Sequence, residues 1–132
     1  MAGMESTVQD DRSSSLTSEI SNMMVGLLAE YTGRGPTKAR TIVSKDLVVV
    51  LMRDTLTKGE RTLVKAGKDT EVLEVRRLFQ SAICAAATAN VERLTGRKVV
   101  GFMSDNHIDP DLAIEAFVLE PEVPATGANG VS

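Results

Sequence analysis

Leu47-Val48-Val49-Val50-Leu51-Met52 is the most apolar block of this 132-residue chain. It is rich in β-branched side chains, which favour strands. Successive strand residues point to opposite sides of a sheet, so this strand is apolar on both faces. Such a strand belongs in the middle of a sheet. Helices of the same chain can cover one face, and something else must cover the other. In so small a chain a second subunit is a plausible cover, and a homodimer is expected. The block spans six residues, far short of the about 20 that a membrane crossing needs.

Working outward, Lys45-Asp46 forms a turn, and Arg40, Ile42 and Ser44 alternate with Thr41 and Val43 before it. That pattern predicts a hairpin whose second strand is the apolar block. Upstream, Ile20, Met23, Met24, Leu27, Leu28 and Tyr31 fall on one helical face. They predict a helix from about Thr17, capped by Thr17 or Ser18 and ended by Gly33. Downstream, Thr57-Lys58-Gly59-Glu60 is a capping-box pattern opening a short helix. Asp69 can cap a long helix to Leu94, with Val72, Val75, Phe79, Ile83, Ala86 and Leu94 on its buried face. Two last strands follow, Val99 to Ser104 and Ile114 to Glu120, joined by a loop from Asp105 to Asp111.

The order is α-β-β-α-α-β-β. Hairpin pairing is local, so the expected fold class is α+β: a four-stranded, mainly antiparallel sheet from two hairpins, with helices packed on one face. Residues 1–15 and the stretch from Pro121 are polar and expected to be disordered, leaving one domain over residues 16–120. A weak internal repeat is also visible: Thr32-Gly33-Arg34 and Thr95-Gly96-Arg97 each end a helix before a hairpin.

Composition restricts the function. Fifteen basic against 18 acidic residues argue against general adhesion to nucleic acid or anionic lipid. Arg61, Lys65 and Lys68 make a basic ridge on the short helix, but no aromatic residue stands beside it to stack on bases. This ridge and Arg76-Arg77 read as solvated faces. Cys84 is the only cysteine, so no internal disulfide forms, in keeping with a reducing cytoplasm. Met1 to Ser15 lack the apolar region of a signal peptide. The expected location is cytoplasmic, with no direct membrane insertion.

Two stretches carry potential chemistry. Tyr31-Thr-Gly-Arg-Gly-Pro-Thr-Lys-Ala-Arg40 is basic and glycine-rich. It reads as a helix cap with a rigid Gly-Pro turn, or as an anion site in which Gly33 and Gly35 admit a ligand and Arg34, Lys38 and Arg40 supply charge. Its glycine spacing is not that of a phosphate-binding P-loop. In Asp105-Asn106-His107-Ile108-Asp109-Pro110-Asp111 the alternate positions resemble a calcium loop. The sixth position lacks glycine, however, and the twelfth is Ala116 rather than glutamate. Neither a metal nor a cofactor is expected. His107 is the only histidine, and no nucleophile can be assigned to it.

Tyr31 to Arg40, Leu56-Thr-Lys-Gly-Glu-Arg-Thr-Leu63 and Thr95 through Asn106-His107-Ile108-Asp109-Pro110 to Leu112 together resemble the MpsC family. These are small bacterial proteins named for a sodium-translocating, membrane-potential-generating system. The resemblance runs over roughly residues 16–121. Arg34, Lys38, His107, Asp109 and Asp111 match its motif positions, but it supplies no catalytic residues. It implies a place beside membrane subunits that affect sodium or bicarbonate movement, hence a membrane-protein partner. A chain with no spanning segment is not itself the conduit. The expected function is a non-enzymatic accessory or regulatory domain whose ligand-binding residues are Arg34, Lys38, Arg40, Asp105, His107 and Asp109. The alternative is a small-anion binder for phosphate, bicarbonate or a nucleotide.

Overall fold

The computed structural model describes residues 7–122. Helix α1 spans Thr7–Thr32, strand β1 Lys38–Ser44, β2 Leu47–Arg53, α2 Lys58–Lys65, α3 Asp69–Thr95, β3 Val99–His107 and β4 Leu112–Leu119. The four strands pair antiparallel in the order β1-β2-β4-β3. The fold is therefore α+β, with the expected element order, and the apolar block is one of the two central strands.

Alternation along β2 sorts the block into two sets. Val48, Val50 and Met52 are fully buried. They form one core with Ile20, Met24 and Leu28 of α1, Ile83, Ala87 and Val91 of α3, and Ala113, Phe117 and Leu119 of β4. Each large side chain buried here contributes about 1.5–3 kcal/mol before entropy is counted. Ala87 is small enough to let α3 lie close to the sheet. Both long helices pack on this one face. Ser21 Oγ and Thr41 Oγ1, 2.7 Å apart, share a hydrogen bond that ties α1 to β1.

The helix ends follow their sequence signals. Thr57 Oγ1 accepts from the Glu60 amide at 3.1 Å, and Glu60 Oε1 accepts from the Thr57 amide at 2.8 Å. The repeated tripeptide builds the same stop twice. Gly33 and Gly96 adopt φ of 85° and 70°, the left-handed conformation in which glycine has no steric penalty. Thr32 Oγ1 donates to the Leu28 carbonyl and Thr95 Oγ1 to the Val91 carbonyl, each at 2.7 Å. Arg97 then donates to the carbonyls of Lys45 at 2.6 Å and Glu120 at 2.9 Å.

Four expectations need correction. The first helix begins at Thr7 rather than near Thr17, so residues 7–15, expected to be disordered, are helical. Extending a nucleated helix costs little even for polar residues. The rest of the two expected tails, residues 1–6 and 123–132, lies outside the described residues. Asp69 is the first residue of α3 and not its cap, which is Lys68. The buried stripe of α3 is Val72, Arg76, Gln80, Ile83, Ala87 and Val91, whereas Val75, like Tyr31 on α1, is exposed. Arg76 is thus buried, not solvated, because polar partners await it inside. Finally, Asp105, Asn106 and His107 belong to β3 rather than to a loop, since pairing with Ile114, Ala113 and Leu112 carries the strand on.

Candidate functional site

The outer face of the sheet, turned away from the helices, is where most of the chemistry-bearing side chains lie. Strand register arranges it in four cross-strand rows. Lys38, Arg53, Leu112 and His107 make the first; Arg40, Leu51, Ile114 and Asp105 the second. Ile42, Val49, Ala116 and Met103 make the third; Ser44, Leu47, Val118 and Gly101 the fourth. The centre is apolar. Ile42 is 48% exposed, Met103 58% and Ile114 39%. One edge, β1, carries Lys38 and Arg40. The other, β3, carries Asp105 and His107. A depression of about 260 Å³ sits between Leu51, Leu112, Ile114, Asp105 and His107.

The second region is the end of the sheet where the basic turn and the β3–β4 turn lie. Asp54, just after β2, forms an ion pair with Arg34 Nη2. The Arg34 guanidinium, followed by Thr37, holds the Asp54 carboxyl below the usual carboxylate range. The Asp54 amide donates to the Asp111 carbonyl at 3.2 Å. The Asp111 carboxylate accepts from the Thr55 amide and hydroxyl at 3.0 and 2.8 Å and from the Leu56 amide at 3.0 Å. Asp111 is thereby committed to anchoring the β2–α2 connection.

His107 Nδ1 lies 2.8 Å from the Pro110 carbonyl, closing its own turn over exposed Asp109 and a cis Asp109–Pro110 bond. Strand β4 stands between His107 on β3 and the β2 end that carries Asp54. Among the described residues no ion pair joins Arg34, Lys38 or Arg40 to Asp105, His107 or Asp109. The two motifs share an end of the sheet, with no ion pair between them among the described residues. Gly35 does not open toward a ligand either. A Cβ there would stand 3.2 Å from Val25 Cγ1 and 3.3 Å from the Val25 carbonyl, so this glycine lets the turn lie against α1.

A third region went unread in the sequence: a polar chain under the helices. Arg76 Nη1 meets Glu60 Oε1 at 3.3 Å and donates to the Thr55 carbonyl at 3.4 Å, and its Nε donates to Asn106 Oδ1 at 3.4 Å. Asn106 Nδ2 donates to Gln80 Oε1 at 2.8 Å, and Gln80 Nε2 donates to Glu115 Oε2 at 3.2 Å. Glu115 is fully buried. Ser104, its neighbour across β3 and β4, faces it, but no hydrogen bond of good geometry joins Ser104 Oγ to Glu115 Oε1. Burial pushes the Glu115 carboxyl up to about 7, against the smaller opposing pulls of Ser104, Gln80 and Arg76. The signal was present in Leu112-Ala-Ile-Glu-Ala-Phe-Val-Leu119, one acid in an apolar strand.

Ser104 points inward and His107 outward, so no histidine-activated serine is assembled. Among the described residues no three His, Cys, Asp or Glu side chains are grouped to hold a metal ion.

The family described as "Na+-translocating membrane potential-generating system (MpsC)" matches residues 12–121. This chain belongs to the MpsC family. A relative in Bacillus subtilis (strain 168), described as "Uncharacterized protein YrhF", is 23% identical over 107 residues, covering 80% of this chain and 88% of the relative. No solved structure matches it. In this MpsC-family chain, none of the described helices is long and apolar enough to cross a membrane.

Proposed function

We propose that this MpsC-family chain is a non-enzymatic accessory domain that works as a homodimer, its two copies joined through the outer faces of their sheets. The observation that carries the reading is the double apolarity of β2 and β4. The helices cover one face, while Ile42, Leu47, Met103 and Ile114 stay exposed on the other. Contiguous apolar patches of this kind mark interaction sites. The family's description supports a setting beside a sodium-translocating, membrane-potential-generating system, in which the dimer docks a membrane subunit through the sheet end carrying Arg34 and the Asp109 turn. The reaction of such a system then belongs to the partner, and this chain adjusts it from a cytoplasmic position.

Size-exclusion chromatography with light scattering tests the first step. A dimer mass at micromolar concentration is expected, and a clean monomer overturns it. Pull-down of the membrane subunit with Arg34→Ala and His107→Ala tests docking; recovery equal to that of the unaltered chain would clear both residues. The anion reading is the weaker one, because Asp54 already occupies the Arg34 guanidinium. Calorimetry with phosphate and bicarbonate decides it, and heat at millimolar ligand would revive it.

A further inference from the structure

We infer that the two copies pair about a two-fold axis that runs parallel to the strands, between β2 and β4, so that the β1 edge of each copy lies over the β3 edge of the other. This rests on the dimer reading above and specifies its geometry. Symmetric dimers bury the same patch on both copies, so the patch must complement itself under the rotation. Only two axes lying in the interface plane along or across the strands bring two such sheets face to face in aligned packing.

The axis along the strands exchanges the edges and keeps every row at its own level. Arg40 then faces the partner's Asp105, and Lys38 stands over the partner's His107. In the third row Ile42 meets the partner's Met103. In the fourth, Ser44 meets the partner's Gly101, small against small. Arg40 and the partner's Asp105 pair opposite charges, Leu51 meets the partner's Ile114 and Ile42 the partner's Met103, while Arg53 lies over the partner's Leu112. The axis across the strands exchanges the first and fourth rows instead. By exchanging the second and third rows as well, it would set Arg40 on the partner's Ile42 and Asp105 on the partner's Met103, so that neither charge meets its opposite.

Dimensions agree with such a contact. A four-stranded face of four rows covers roughly 500 Å² at about 4.8 Å per strand and 6.8 Å per two residues. Two copies bury on the order of 1,000 Å², the lower bound for a specific interface. Packed sheets lie about 10 Å apart, a gap that an arginine and an aspartate bridge together. With an interface this small, the Arg40–Asp105 pairs have weight in the affinity. The candidate residues that stay apart in one subunit, Lys38 and Arg40 on one side and Asp105 and His107 on the other, become one composite cluster, formed twice per dimer.

Charge exchange tests the axis. Arg40→Asp sets acid on acid twice per dimer, and Asp105→Arg sets base on base. Each alone should raise the dimer dissociation constant about tenfold or more, read by analytical ultracentrifugation of the full chain. Combining both in one chain, or mixing the two single variants, should restore the dimer, because each altered charge then finds its opposite. Circular dichroism of each variant confirms that the chain is folded. If the unaltered chain is a monomer, the dimer reading itself fails. If it is a dimer and the single changes leave it unaffected, or weaken it without rescue by the combination, the dimer reading stands and this axis is wrong.

Discussion

Ile114 and Glu115 are neighbours in β4 and sit on opposite faces of one sheet, each on the side where simple hydropathy would place the other. The isoleucine points away from the helices and is 39% exposed; the glutamate points in and is fully buried. The inner face is closed, with Phe117, Met24 and Ile83 packed to zero exposure around a carboxylate that lacks a full set of partners. The outer face is open, apolar at the centre and charged at the edges. Simple hydropathy gives way at these two consecutive residues, as it does at buried Arg76 and Gln80. The inner one holds a polar chain from Glu60 to Glu115. The outer one leaves an apolar surface exposed.

The contrast is sharpest at Val50 and Leu51, and the largest effect is expected there. Val50→Asp would bury an unpaired charge beside Glu115, its neighbour across β2 and β4. The expected cost is on the order of 3 kcal/mol or more, enough to unfold a domain of ordinary stability. Urea denaturation followed by circular dichroism should show a strongly lowered midpoint or no transition. A variant of normal stability would mean that the inner face is not the closed one.

Glu115→Gln comes next, and its effect depends on pH. The carboxyl ordinarily titrates near 4.5 and here is pushed up to about 7. Between these values the folded chain holds a proton that the unfolded chain has released, so stability falls as pH rises through that window and levels off above it. The shift corresponds to roughly 3 kcal/mol at full development. At pH 5 the protonated acid and the amide are both neutral, and the two proteins should be close in stability. By pH 8 the glutamine variant should be the more stable by an amount of that order. Denaturation at both pH values checks it, and a gap that does not widen with pH refutes the burial argument.

The sequence was informative where one residue pattern permits one geometry. The apolar block, the Thr57-Glu60 box and the Thr-Gly-Arg stops each depend on neighbours a few residues away, and each appears in the structure. What depended on distant partners was harder to read. Arg76 looked solvated because its partners Glu60, Thr55 and Asn106 come from three other segments. The buried stripe of α3 carries Arg76 and Gln80, so the neighbouring stripe with Val75 and Phe79 is the more apolar of the two and hydropathy alone selects it. Asp105 and His107 read as loop residues because acids and amides are poor strand formers, yet the register of β4 draws them into β3. The six ligand-binding candidates were legible as unusual residues. That Lys38 and Arg40 fall on one edge of the outer face and Asp105 and His107 on the other follows only from the strand order.

A smaller effect is expected at the Arg34–Asp54 pair. Both side chains are partly exposed, and such pairs contribute little because water and salt screen them. Arg34→Ala should leave the unfolding midpoint almost unchanged at neutral pH. Its signature is the Asp54 carboxyl, which should titrate closer to the ordinary value when followed by nuclear magnetic resonance. An unmoved titration would mean that the ion pair does not persist in solution.

Only a small effect on folding is expected from Ile114→Asp, although it makes the same chemical change as Val50→Asp, apolar to acidic, in the adjacent central strand. Aspartate is a weak strand former, which costs up to about 1 kcal/mol, but its charge stays in water and carries no burial penalty. The isolated chain should therefore unfold near its usual midpoint. Association should respond quite differently. Under the proposed two-fold, Ile114 faces the partner's Leu51 in the centre of the contact, where a dimer would bury two new carboxylates against apolar side chains. The variant should sediment as a monomer at concentrations where the unaltered chain is a dimer. Two acidic substitutions on one sheet thus separate what the faces do: one destroys the fold and the other leaves the fold and removes the assembly. If Ile114→Asp instead lost stability on the scale of Val50→Asp, the outer face would be part of the chain's own core, and the case for a second copy against it would collapse.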